Sequence, residues 1–141
     1  MSGSESCRQV GVYGTKGIAA PANVPGSRCA AVTWTDPGGR PWLVGGVGMA
    51  VEGEAGELND LWHFDPATNQ WTWISGSEEG DALGVYGTKG QGDPDNVPGG
   101  RNVSVSWIDS QGRLWLFGGS GWGTSFEDNI VLLNDLWRNT R

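Results

Sequence analysis

An all-β fold built from two copies of one four-stranded antiparallel unit is predicted by three observations. First, GVYGTKG stands at residues 11–17 and returns at 84–90, and the same spacing of 73 aligns Asn23-Val24-Pro25-Gly26 with Asn96-Val97-Pro98-Gly99, Arg28 with Arg101, Trp34 with Trp107 and Gly45-Gly46 with Gly118-Gly119. Second, Leu58-Asn59-Asp60-Leu61-Trp62 returns as Leu133-Asn134-Asp135-Leu136-Trp137 at a spacing of 75, which places a two-residue insertion in a loop after the double glycine. Third, the 141 residues include 25 glycines, seven prolines and nine tryptophans without a long apolar period of helical type, a composition that suits short strands and tight turns. Repetition on this scale is read before any single residue.

The strands of one unit follow from alternation and turn chemistry. Residues 28–35 carry Ala30, Val32 and Trp34 on one side, Asp36-Pro37-Gly38-Gly39 supplies a turn, and residues 41–45 return as a second strand. A glycine-rich interval, expected to be a flexible loop, leads to a third strand at 58–64. Asp65-Pro66-Ala67-Thr68-Asn69 turns it into a fourth at 70–75, with Trp71 and Trp73 on one face. The chain thus divides into a connector at 1–27, a first unit at 28–75, a second connector at 76–100 and a second unit at 101–141, within the length of one domain. The second unit lacks a counterpart of 70–75, so seven strands stand where two full units need eight.

A double glycine closing the second strand, an aromatic in the third and a tryptophan in the fourth around a D-P-A-T-N turn resemble the kelch repeat. The resemblance is carried by Gly45-Gly46, Trp62, Phe64 and Trp71 in the first unit and by Gly118-Gly119 and Trp137 in the second. It covers most of the chain and implies blades of a β-propeller, as in the central domain of galactose oxidase. The repeat exceeds the kelch length of about 50 residues. The excess lies at 76–99 and looks like a bacterial variant of the family.

Two blades would leave two apolar sheet faces in water, so the chain is expected to complete a propeller by head-to-tail association with copies of itself, a trimer first and a tetramer next. The edge at 133–141 is then expected to be covered by a neighbour or shielded by Arg138 and Arg141. Long connectors share one end of each blade and short turns the other, which places ligand recognition at the long-loop end.

Candidate ligand-binding residues follow from that placement. Trp122 has Met49 as its counterpart and lies in the loop after the double glycine, where it could stack on a sugar, clamp a peptide or fill an oligomer contact. Tyr13, Lys16, Tyr86 and Lys89 recur between units, either because the connector has a fixed glycine-bounded turn structure or because it binds. Arg28 and Arg101 open the innermost strands, where a guanidinium can satisfy carbonyls or face a central channel. Cys7 and Cys29 have no cysteine counterparts in the second copy, so a disulfide between connector and inner strand is expected in an oxidising setting, with two unrelated thiols the other reading. Asp93, Asp95 and Asn96, and Glu127, Asp128 and Asn129, offer oxygen ligands without completing a calcium loop; turn chemistry accounts for them, and no metal or cofactor is expected.

Catalytic readings find little support. The single histidine, His63, is matched by Arg138, which leaves a copper oxidase without its two histidines and a hydrolytic triad resting on one strand residue. The glycine doublets end strands and do not open helices, so they are not phosphate loops. The net charge of −7 argues against nucleic acid, and the polar first ten residues do not form a signal peptide or a span. The sequence therefore predicts a non-catalytic binding or structural module that recognises a protein or glycan, with a carbohydrate-active enzyme bearing a composite site as the alternative.

Overall fold

A computed structural model describes residues 3–139; Met1, Ser2, Thr140 and Arg141 lie outside the described residues, as does the side chain of Asp128. The fold is all-β, with two antiparallel sheets and no α-helix among the described residues. In the first sheet β1 (Arg28–Cys29) and β2 (Val32–Thr35) pair with successive parts of β3 (Pro41–Met49), which pairs with β4 (Ala55–Asp65), which pairs with β5 (Gln70–Ser75). In the second, β6 (Arg101–Asn102) and β7 (Val105–Ile108) pair with β8 (Leu114–Gly121), which pairs with β9 (Val131–Arg138).

The innermost strand expected at 28–35 is split in both sheets. Ala30 and Val103 take left-handed backbone (φ 54° and 49°), which interrupts pairing between β1 and β2 and between β6 and β7. The turn that follows is the same twice. Asp36 and Asp109 accept from the backbone N–H groups of Arg40 and Arg113 and also bind their guanidinium nitrogens, while Gly39 and Gly112 supply the positive φ of a three-residue hairpin. Cross-strand tryptophans then stack, Trp34 on Trp42 with ring centroids 5.5 Å apart and Trp107 on Trp115 at 6.1 Å. His63 belongs to this packing: its ring meets the Trp42 indole edge-on, and Arg138 lies over Trp115 at the matching place.

The glycine-rich interval is ordered, contrary to the loop expected from sequence. β3 runs through the double glycine to Met49, and β4 begins at Ala55, leaving a short connection. A register shift accompanies the glycines: Val44 pairs with Leu61 and Gly46 with Leu58, so Gly45 alone faces Asn59 and Asp60. The second sheet repeats the shift between Phe117 and Gly119. Gly45 and Gly46 have φ of 64° and 95°, and Gly118 and Gly119 repeat them, which permits this bulge. The bulge lets adjacent residues of Leu-Asn-Asp-Leu-Trp reach different surroundings.

The sheets stack. Val32, Trp42, Val44 and Leu61 on the back of the first sheet form a buried cluster with Leu116 of the second, flanked by Trp34, Ile74 and Trp137. Backbone approach is close: a Cβ on Gly45 would lie 2.8 Å from the Arg101 carbonyl oxygen and 3.0 Å from that of Leu58. A Cβ on Gly39, also at positive φ, meets nothing within 4 Å. Gly39→Ala is therefore expected to cost about 1–2 kcal/mol from backbone strain alone. Gly45→Ala is expected to cost a further ~1–3 kcal/mol from overpacking, an ordering that urea denaturation of the two variants checks.

Candidate functional site

The most concentrated chemistry in the chain is a carboxylate at the bulge of each sheet. The side chain of Asp60 is fully buried, and both its oxygens are engaged by Arg28, Nη1 to Oδ1 at 2.6 Å and Nη2 to Oδ2 at 2.7 Å. Oδ2 also accepts from the Tyr13 hydroxyl at 2.8 Å and from the Trp62 indole N–H at 2.7 Å. Arg28 donates its remaining bonds to the carbonyls of Gly26 and Gly45. Every partner has a counterpart in the second unit: Arg101 makes the same fork with Asp135, Tyr86 and Trp137 donate to Oδ2, and the carbonyls of Gly99 and Gly118 take the rest of the guanidinium.

The repeated heptapeptide exists to deliver that tyrosine. Val12 and Val24 exchange backbone hydrogen bonds, as do Val85 and Val97, which closes each connector into a compact loop. Asn23 and Asn96 donate across the loop to the carbonyls of Ile18 and Gln91. A Cβ on Gly14 or Gly87 would strike the Asn23 or Asn96 amide oxygen, at 2.4 and 2.3 Å. Tyr13 then packs between Trp62 and Trp73, while Tyr86 has Trp137 alone, because the second sheet has no counterpart of β5 among the described residues.

The electrostatics follow from the geometry. Burial raises the Tyr13 phenol far above its ordinary value, with the charge and hydrogen bond of Asp60 adding to the effect and Arg28 opposing it. Tyr86 is raised for the same reasons through Asp135. Burial would raise the Asp135 carboxyl, yet the hydrogen bonds from Arg101, Tyr86 and Trp137 together outweigh it and hold the group at about 2. Asp135 is thus held ionised and both tyrosines neutral, the opposite of what a carboxylic general acid or a tyrosinate nucleophile requires.

Four of the expected ligand-binding residues, Tyr13, Tyr86, Arg28 and Arg101, therefore bond within the fold, the arginines to carbonyls and a carboxylate. Met49 is buried. Lys16 places Nζ 4.4 Å over the Trp73 ring, and Lys89 is exposed where the second sheet offers no such ring. Lys16 also borders a groove of about 340 Å³ with Ile74, Ser75, Pro94 and Asp95. Cys7 and Cys29 are exposed free thiols, Cys7 in the first connector and Cys29 fixed in β1 opposite Val47. Asp93 accepts from the backbone N–H of Asp95 and Glu127 donates its N–H to Ser125, which is turn and cap chemistry, and no group of three or more metal-type ligands occurs among the described residues.

Trp122 is half-buried, and its indole N–H donates to Asp81 Oδ1 at 2.9 Å while Phe126 meets its ring edge-on at 5.2 Å. Asp81 also accepts from the backbone N–H of Glu57, so the second connector, the first sheet and the long loop are tied together at one end. Sequence reading missed Asp60, Asp135 and Asp81, although LNDLW was in view as a repeat. The missing signal was the bulge, which alone turns Asp60 toward Arg28 and Tyr13. No protein-family model matches the sequence, and no curated protein matches it.

Two outcomes are expected. Asp60→Asn leaves Arg28 buried without its counter-charge and should cost about 3–5 kcal/mol in chemical denaturation, with Asp135→Asn milder because that carboxylate is 15% exposed. In pH, the depressed Asp135 contributes stability that is present above about 4 and lost as pH falls through about 2, whereas the raised phenols contribute stability present below about 10 and lost as pH rises through their folded values. Ultraviolet titration should accordingly show tyrosinate appearing above the ordinary phenol range near 10, with Tyr13 ionising only together with alkaline unfolding.

Proposed function

We propose that the chain is a pair of kelch-like propeller blades acting as a non-catalytic binding or structural module, which recognises a protein or glycan through its long-loop end. The observation that carries this reading is the duplication of the Tyr-Arg-Asp-Trp cluster in every contact. A catalytic constellation acts at one place on a substrate, whereas a constellation built twice, buried, and saturated by its own neighbours serves the scaffold. Sheet stacking through Leu116 supports the blade reading, because the second sheet covers the back of the first. Assembly of three copies, or next four, is the ring this reading favours.

The recognition surface is assigned to the place where the second unit departs from the first. After Gly121 the longer loop forms a 3₁₀ turn at Phe126–Asp128, capped by Ser125, and presents Phe126 and Ile130 to solvent beside the anchored Trp122. An exposed aromatic on a tied loop offers a stacking face for a sugar ring or a peptide side chain. Phe126→Ala should lower affinity for a ligand found in a glycan and peptide array by about five- to tenfold or more while leaving the melting temperature nearly unchanged. Stoichiometric binding without product release supports the module, and turnover of a glycan would favour the carbohydrate-active enzyme.

A further inference from the structure

The back of the second sheet reproduces, uncovered, the surface that the second sheet covers on the first. Val32, Val44 and Leu61 are buried against Leu116. Their counterparts Val105, Phe117 and Leu136 are 62%, 43% and 53% exposed, and Leu132, at the position of buried Glu57, is 89% exposed. We propose that this face binds a second copy of the chain, through the front of that copy's first unit, where Leu43, Cys29 and Pro25 occupy the positions of Leu116, Asn102 and Pro98. The inference rests on the stacked-blade reading and supplies its partner and contacts.

The internal junction serves as the template. Asn59 donates to the Pro98 carbonyl at 3.0 Å and accepts from the Ser77 backbone N–H at 2.8 Å. Asn134 is exposed at the same place in the second sheet, and a second copy offers the Pro25 carbonyl and the Ser4 N–H. Ser4 and Ser77 lie in equivalent local turns, each hydroxyl accepting from the backbone N–H two residues on. Gly118 keeps the positive φ of Gly45, and of the two only Gly45 has an inner-strand carbonyl pressed against it, that of Arg101. The Arg28 carbonyl of a second copy would fill the equivalent place.

One exchange argues for a specific partner. At the internal junction the Glu57 carboxylate takes both its bonds from the Asn102 amide, at 2.8 and 2.9 Å. At the junction between copies Leu132 replaces the glutamate and Cys29 replaces the asparagine, so a polar pair becomes an apolar pair on both sides together. A change on one side alone would bury a carboxylate without a donor or an amide against leucine. Arg8 stands where Asp81 bonds the Glu57 N–H, so that bond is absent between copies and the contact should be weaker than the internal one.

The test uses sedimentation and cross-linking of the whole chain. Wild type should associate with rising concentration, and Leu132→Glu should weaken association by about tenfold or more. Adding Cys29→Asn to Leu132→Glu should restore it by rebuilding the internal pair. Leu132→Cys in a Cys7→Ser background should join chains on oxidation through Cys29. The proposal is overturned by a monomer at every concentration, by association indifferent to Leu132→Glu, or by cross-links joining position 132 to itself, which a two-fold contact would give. Alkaline tyrosine titration separates this from the scaffold reading. Intact clusters in a monomer overturn the docking and the ring while the scaffold role of the clusters stands, whereas clusters that titrate normally overturn the scaffold reading on which the docking rests.

Discussion

A single carboxylate in each unit, fully buried in the first and partly buried in the second, organises what surrounds it. Asp60 joins residues from the connector, β1 and β4 at one point, since Tyr13, Arg28 and Trp62 all donate to it. A charge so placed is tolerated only when its partners are complete, because the cost of taking an ion out of water is recovered by good geometry and saturated hydrogen bonding. The cluster therefore fixes where the connector lies, how the innermost strand enters the sheet and which rotamer Trp62 adopts. Removing one donor affects them together.

The bulge that orients Asp60 also directs Asn59 to the other side, and this couples the interior of one sheet to its neighbour. Asn59 bonds Pro98 and Ser77, both in the second connector, whose Tyr86 bonds Asp135 in the next sheet. Charge cluster, bulge, asparagine and connector thus alternate along the chain, and the pattern can be continued by any further unit with the same features. Extension by repetition accounts for the apolar back of the second sheet. Under the proposed binding role, ligand recognition falls to the loops that break the pattern, above all the one carrying Trp122 and Phe126.

Much of the fold was legible because repetition separates constraint from accident. Trp34 and Trp107, Asp36 and Asp109, and the double glycines could be assigned to strands and turns from their spacing. The bulge could not, since a period-two reading of 58–64 carries no sign that Gly45 faces two residues. That omission hid the roles of Asp60 and Asp135 and left Arg28, Arg101, Tyr13 and Tyr86 as apparent candidates for a ligand. The split of the innermost strand was hidden for a related reason: Ala30 and Val103 adopt left-handed backbone that neither residue type announces. The loop bearing Trp122 was recognisable as a departure from the repeat, whereas its tether to Asp81, 41 residues away, was a tertiary fact.

The claim that the carboxylate clusters hold each unit together is tested most directly by hydrogen exchange at the tryptophan indoles. Trp62 and Trp137 donate to the two carboxylates, and Trp62 is fully buried. If the cluster is the lock, the Trp62 indole proton exchanges only through global unfolding, with the free energy measured by denaturation, and Trp137 is the next most protected. Exchange of Trp62 through a local opening well below the global stability, as fast as that of the exposed Trp107, would contradict the account.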